Sequence, residues 1–214
     1  MVVSRIKPSD GQDLQRLQRR RKLVLRVGVA LCCVVLLITQ SAWRVSNPLV
    51  YDLIHRTGLA LIVVCILGRT WCTLYIGGSK KRQLVTLGPY SVVRNPLYMF
   101  TIIGAAGIGA QAGSLSMTLL LAALVTAIFS VVTRQEEQFL AATFRDEFTA
   151  YAARVPRLLP RPTLWREADE LLVRPHLVRR TFLDACLFLL AVPVSDVIDW
   201  LQQVQWLPVL FHLR

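Results

Sequence analysis

Apolar runs alternate with basic, polar stretches along the 214 residues. Residues 1–22 are polar and end in the cluster RLQRRRK. Residues 23–43, LVLRVGVALCCVVLLITQSAW, contain a 12-residue apolar run that extends to about 20 if the long stem of Arg26 carries its charge to an interface. That length suffices to cross a hydrocarbon core of about 30 Å. A short connection, RVSNPLVYD, leads to a second span over residues 53–76 with His55 and Arg56 near its start. Arg69 lies inside that span. An arginine at such depth is costly in lipid, so it should face the bundle, a polar cavity or the interface, in an ion pair or in a site.

The next stretch is different. Residues 77–96, GGSKKRQLVTLGPYSVVRNP, form a Gly- and Pro-punctuated loop with four basic residues and no acidic one. Residues 95–133 then carry no charge at all. One helix of that length would measure about 58 Å, nearly two membrane thicknesses. Glycines at 104, 107, 109 and 113 interrupt it, so the pattern predicts a helical hairpin, 97–110 and 114–133, turning near GAQAGS. Both ends of a hairpin emerge on one side. GPYSVVRNP is therefore brought beside TRQEEQFL at 133–140. Residues 134–180 are polar and helical in pattern up to Arg154. Residues 182–213 turn apolar again, broken by Asp184, Pro193, Asp196, Asp199 and Pro208. They suggest one short span or re-entrant helix and then an interfacial helix carrying Trp200 and Trp206. The expected fold is an all-α, polytopic transmembrane helical bundle of about five membrane segments with a cytoplasmic helical cap. It forms a single domain over 1–214 with its core at 82–157.

Composition agrees with a membrane bundle. The chain is 54% hydrophobic, with mean hydropathy +0.49 and net charge +12. The positive charge sits beside apolar spans and in no nucleic-acid motif, so nucleic acid is not an expected partner. Lys and Arg crowd the N-terminal segment, the 77–96 loop and the 134–180 segment. The intervening segments, 44–52 and 110–114, hold one basic residue between them. The N-terminus, the 77–96 loop and the 134–180 region should therefore face the cytoplasm. The Ala-, Leu- and Arg-rich composition suggests a bacterial inner membrane. No small-residue cleavage site follows the first apolar run, so no signal peptide is expected. Cys32, Cys33, Cys65, Cys72 and Cys186 lack metal-ligand spacing and read as reduced packing residues. His55, His176 and His212 are equally scattered, and no metal is expected. GIGAQA at 107–112 matches a dinucleotide fingerprint, but that motif needs a preceding strand. Close helix packing or the hairpin turn explains these glycines instead.

Two clusters converge on the charged face. One runs from Arg82 to Tyr98. The other reads RQEEQFLAATFRDEFTAYAARVP from Arg134 to Pro156. Glu136 and Glu137 leave the bilayer opposite Arg94, with Arg134 beside them. Acids there can hold an ammonium group, and an arginine can hold a carboxylate or phosphate in bidentate fashion. RQLVTLGPYSVVRNPLY followed by EEQFLAATFRDEFTAYAARVP resembles the isoprenylcysteine carboxyl methyltransferase and phospholipid methyltransferase superfamily. That family shows Leu-x-Thr-x-Gly-x-Tyr, Arg-His-Pro-x-Tyr and, after a hairpin, Glu-Glu-x-x-Leu-x-x-x-Phe-Gly-x-x-Tyr-x-x-Tyr. Arg-Val-Pro closes the pattern.

The resemblance implies a membrane methyltransferase that uses S-adenosyl-L-methionine on a lipid or lipidated acceptor entering from the bilayer. Its cofactor would be cradled by Gln83, Leu84, Val85, Gly88, Tyr90 and the turn Asn95, Pro96, Leu97 and Tyr98. Arg94 and Glu136 would lie at the reaction centre with Glu137 beside them, and Arg134 and Arg154 would serve the acceptor. Arg154, with Tyr151, could instead cap the cofactor or form one face of an amphipathic helix. Arg82 and Asn95 replace histidines usual in the family, Arg145 replaces a glycine and Phe148 a tyrosine. Val132 stands where the eukaryotic carboxyl methyltransferases have an arginine. Carboxyl methylation is the leading expectation. A phospholipid N-methyltransferase and a non-catalytic membrane scaffold are the alternatives.

Overall fold

The computed structural model describes residues 37, 39–76, 83–207, 209 and 211–213. The basic N-terminal segment, most of the first expected span and Arg82 lie outside them. The end of that span, Thr39–Ser41, is not helical. It forms a short strand, β1, paired in parallel with β2 at Phe211–Leu213, with Thr39 opposite Phe211. The expected connection over 44–52 is mostly helical as well. α1 spans Trp43–Ser46 and α2 spans Pro48–Ile76. Proline at the first helical position needs no N–H partner, and the Asn47 side chain accepts from the Val50 N–H at 3.3 Å.

α2 buries one stripe, including Ile54, Gly58, Ile62, Cys65, Ile66 and Cys72, at helical spacing. Leu59, Val63, Val64 and Leu67 point outward, as suits a helix bathed in lipid. Against the stripe packs α4, Pro96–Gln111, and against α4 packs α5, Leu115–Arg154. α4 and α5 are the expected hairpin. Residues 112–114 turn the chain, and Ser114 Oγ accepts from the Met117 N–H at 3.3 Å. α2 and α4 cross at Gly58 and Gly107. A Cβ on either residue would lie 2.8 Å from the other's carbonyl oxygen, so only glycines permit this approach. The fingerprint-like GIGAQA is therefore mostly helix and packs as helix.

The C-terminal segment departs from expectation. α6, Pro175–Cys186, a 3-10 turn at Leu187–Leu190 and α7, Ala191–Gln203, make one helical run instead of a short span and a separate interfacial helix. Pro175 starts it, and Pro193 falls in the first turn of α7, where a missing N–H is tolerated. Among the described residues, three helical runs are long and apolar enough to cross a membrane: Pro48–Ile76, Leu115–Arg154 and Pro175–Gln203. α4 has 16 residues, about 24 Å, less than the core thickness. Among the described residues Arg69 forms no ion pair; its Nη1 donates to Thr101 Oγ1 on α4, tying α2 to the hairpin.

α5 is interrupted once. Arg145 has φ 45° and ψ −115°, a conformation that L side chains rarely adopt. This is the position where the resembling family carries glycine. Arg145→Gly should therefore raise stability by about 1 kcal/mol in detergent unfolding, and Arg145→Ala should not. A gain for Ala equal to that for Gly would assign the effect to charge rather than backbone.

Candidate active site

The site lies at the end of α2 away from its N-terminus. Gly88, with φ 57°, opens the one-turn helix α3, Pro89–Val92. A Cβ at Gly88 would sit 2.2 Å from the Tyr75 ring, so the loop can close on α2 only with glycine there. Ser91 Oγ donates to the Gly88 carbonyl at 2.6 Å. A strap, residues 155–166, irregular apart from a 3-10 turn at Pro162–Leu164, then runs back along this loop. Arg94 N donates to Pro156 O at 2.8 Å, Arg161 N to Val92 O at 3.0 Å and Gly88 N to Arg166 O at 2.8 Å. Tyr151, on the last turns of α5, donates its hydroxyl to the Tyr90 carbonyl at 2.7 Å. Strap and helix end together clamp the loop.

The hairpin brings the two charged clusters together. Glu137 is buried on α5, and three side chains converge on its carboxylate. Arg157 Nε donates at 3.1 and 3.0 Å and Arg157 Nη2 at 2.6 Å. Arg94 Nε lies 3.5 Å from Oε1, an ion pair too long to be a hydrogen bond. Asn95 Nδ2 stands 3.4 Å from the same oxygen and 3.4 Å from the Arg157 carbonyl. Glu136, one residue earlier and so turned to a neighbouring face, accepts the Tyr98 hydroxyl at 2.7 Å. The Tyr98 ring stacks on Phe129 with centroids 4.4 Å apart.

The residues named from sequence thus separate into groups. Arg94, Asn95, Tyr98, Glu136 and Glu137 meet, with Glu137 more central than Glu136. Pro96 is buried beside them and starts α4. Val85 and Leu97 pack around Cys72, Tyr75 and Tyr90, and Leu84 packs around Phe148, Tyr151 and Val155. Gln83 is exposed. Arg134 and Arg154 are exposed too and do not join the cluster. Arg157 was missed. It is one of nine basic residues between 134 and 180, and only its place just after Arg-Val-Pro sets it apart.

Two buried polar atoms beside the cluster have no hydrogen-bond partner: the Tyr90 hydroxyl and Arg94 Nε. Burial keeps the Tyr90 phenol far above its ordinary pKa, hence neutral and able to donate. Pairing with Glu137 raises the pKa of Arg157 further. An apolar cavity of about 310 Å³ is walled by Trp71, Val93, Pro96, Phe100, Pro160 and Trp165 among others, and Val93 and Pro96 flank Arg94 and Asn95 in the chain.

A membrane-crossing helical bundle with acid, arginine and amide groups gathered under a strap defines an integral-membrane protein with one polar interfacial site. The chain belongs to the phospholipid methyltransferase family, whose pattern matches residues 53–147. It is 32% identical over 192 residues to the nickel-cobalt-cadmium resistance protein NccN of Alcaligenes xylosoxydans xylosoxydans, covering 90% of this chain and 89% of that one. It is 37% identical over 194 residues to the cobalt-zinc-cadmium resistance protein CzcN of Cupriavidus metallidurans, covering 88% of each. A shorter stretch of 82 residues is 34% identical to the protein-S-isoprenylcysteine O-methyltransferase of Schizosaccharomyces pombe, covering 38% of this chain and 35% of that one. No solved structure matches. The family pattern ends before Arg157, so the strap and its arginine lie beyond it.

Removing Glu137 strands two guanidiniums, whereas removing an exposed arginine strands nothing. Glu137→Ala should cost about 3 kcal/mol in detergent unfolding. Arg134→Ala and Arg154→Ala should each stay within about 0.5 kcal/mol. Comparable losses for all three would mean that Glu137 is not the centre of the cluster.

Proposed function

We propose that the protein is an S-adenosyl-L-methionine-dependent methyltransferase whose acceptor is an amphiphile held in the membrane, with carboxyl O-methylation the favoured reaction. The observation that carries this reading is the closure of two motif segments, 42 residues apart at Asn95 and Glu137, around one buried carboxylate. The donor set fits the cofactor. A carboxylate pair can hold an ammonium group, and the neutral Tyr90 hydroxyl and Arg94 Nε are left wanting acceptors. When bound, the cofactor would supply an electrophilic methyl group on a sulfonium.

The chain's own residues then have limited tasks. Gly88, Tyr90 and the Asn95–Tyr98 turn shape the cradle. Glu137 and Glu136 offer negative charge. Arg94 orients an anionic acceptor, which needs no deprotonation before attack. Strap and α5 end shield the centre from water. An amine acceptor would need a base to take its proton. Glu136 already accepts from Tyr98, and Asn95 cannot titrate in place of the family's histidine. These features favour an O-acceptor over N-methylation. The basic loops support a cytoplasmic site in a bacterial inner membrane.

Two relatives are named for metal resistance. Among the described residues no group of three His, Cys, Asp or Glu side chains could hold a metal ion. We place any part of this chain in resistance downstream of its methylated acceptor.

The test is transfer of methyl-tritiated cofactor label into membrane extracts. The wild type should label a lipid-soluble product. Glu136→Gln should reduce labelling on the order of 100-fold while the protein still folds. Unchanged labelling would remove Glu136 from the site. A folded wild type that labels nothing would favour the scaffold reading.

A further inference from the structure

The strap is tied unevenly along its length. At its near end Val155 is buried with Phe148 and Tyr151, the Pro156 carbonyl accepts from Arg94 N at 2.8 Å, and Arg157 pairs with buried Glu137. Prolines at 156, 160 and 162 remove backbone donors from the middle. The far end is held by exposed groups. Glu167, the residue after the strap, is exposed, and its carboxylate accepts twice. The Tyr75 hydroxyl on α2 donates to it at 2.6 Å and the Trp165 indole N–H at 3.1 Å. Trp165, itself exposed, stacks on Trp71 of α2 with centroids 5.5 Å apart.

This far end covers the loop assigned to the cofactor cradle. Arg166 N donates to Ser91 Oγ at 3.0 Å, and the Arg166 carbonyl accepts from Gly88 N at 2.8 Å. Ala168 packs on the cluster of Cys72, Tyr75 and Tyr90. The Tyr90 hydroxyl and Arg94 Nε are buried, so a ligand can meet them only after something moves. The helices resist such movement, because α2 and α4 touch backbone to backbone at Gly58 and Gly107. The far end of the strap does not. Its hydrogen bonds end on an exposed carboxylate, where water can replace each at small net cost. Lifting residues 165–168 would bare the Gly88–Ser91 turn and the Tyr75–Tyr90 cluster together.

We propose that residues 165–168 are a gate over the cofactor cradle and that Glu167 is its catch. Tyr75 and Trp165 hold the catch when the gate is closed, and water takes their place while the cofactor enters or leaves. The near end stays docked through Val155, Pro156 and Arg157, and the proline-rich stretch 160–162 is the pivot. The inference rests on the methyl-transfer reading and adds the way in. Glu167 lies beyond the family pattern, which ends at residue 147.

The test uses the full chain in detergent and needs no turnover. Backbone hydrogen exchange is measured first, without cofactor. Glu167→Ala removes the catch. Tyr75→Phe removes one donor and keeps the ring that packs on Gly88. Each should speed exchange of the Gly88 and Arg166 N–H groups about tenfold. Exchange at Arg94 N–H, bonded to Pro156 at the docked end, should not change. Glu170→Ala, an exposed acid outside the catch, should match the wild type. Stopped-flow binding of S-adenosylmethionine, followed by tryptophan fluorescence, comes second. Loss of a catch should speed association and dissociation by the same factor, about tenfold, and leave Kd unchanged. Unchanged exchange at Gly88 and Arg166, an equal rise at Arg94, or faster dissociation with unchanged association would overturn the gate. A wild type that binds no cofactor, with exchange still set by the catch, overturns the methyl-transfer reading but not the gate.

Discussion

A buried carboxylate with too few donors would be costly, and Glu137 sits where water is scarce. Much of the structure around it supplies those donors. Arg94 and Asn95 come from the loop before the hairpin, and Arg157 comes from the strap after α5. None is near Glu137 in sequence. The hairpin must fold back, and the strap must lie along the loop, before the charge is matched. Because several groups share one carboxylate, losing any single donor costs less than losing Glu137 itself.

The opposite end of the bundle is held by a separate polar lock. Asp199 on α7 accepts the Tyr51 hydroxyl at 2.6 Å and pairs with Arg44 at 2.9 Å. Gln202 Nε2 reaches the carbonyls of Leu37 and Thr39 at 3.2 Å each. Asp199, one of the three aspartates that break the apolar pattern of the C-terminal segment, is thus structural there. Between the two ends, contact rests on small residues, with Gly58 against Gly107 letting α2 and α4 approach. Lipid gives little drive for helices to associate, so this close packing and the Arg69–Thr101 bond hold the middle.

The hairpin was legible because an uncharged run of such length cannot be one crossing and because glycines mark its turn. The meeting of Arg94 with Glu136 and Glu137 followed from that geometry. The resemblance to methyltransferases was legible in the same two segments. Three things were not. Helix α2 begins at Pro48 because an asparagine cap and a proline start it, a local signal outweighed by the polar look of 44–52. The helical run 175–203 hides behind Pro193 and its aspartates, which read as breaks until a partner for Asp199 is known. Arg157 is a third-order feature. Its role depends on the strap folding back across the loop, and an arginine among many in a polar stretch gives no sign of that.

The methyl-transfer reading requires Glu137 to be the anchor of a cofactor site rather than a structural charge. Calorimetric titration of S-adenosyl-L-methionine into the purified full chain in detergent tests this most directly, with Glu137→Gln as the paired variant. The account predicts saturable one-to-one binding to the wild type, weakened at least tenfold in the variant. Equal binding by both proteins, or no binding by a folded wild type, would contradict it.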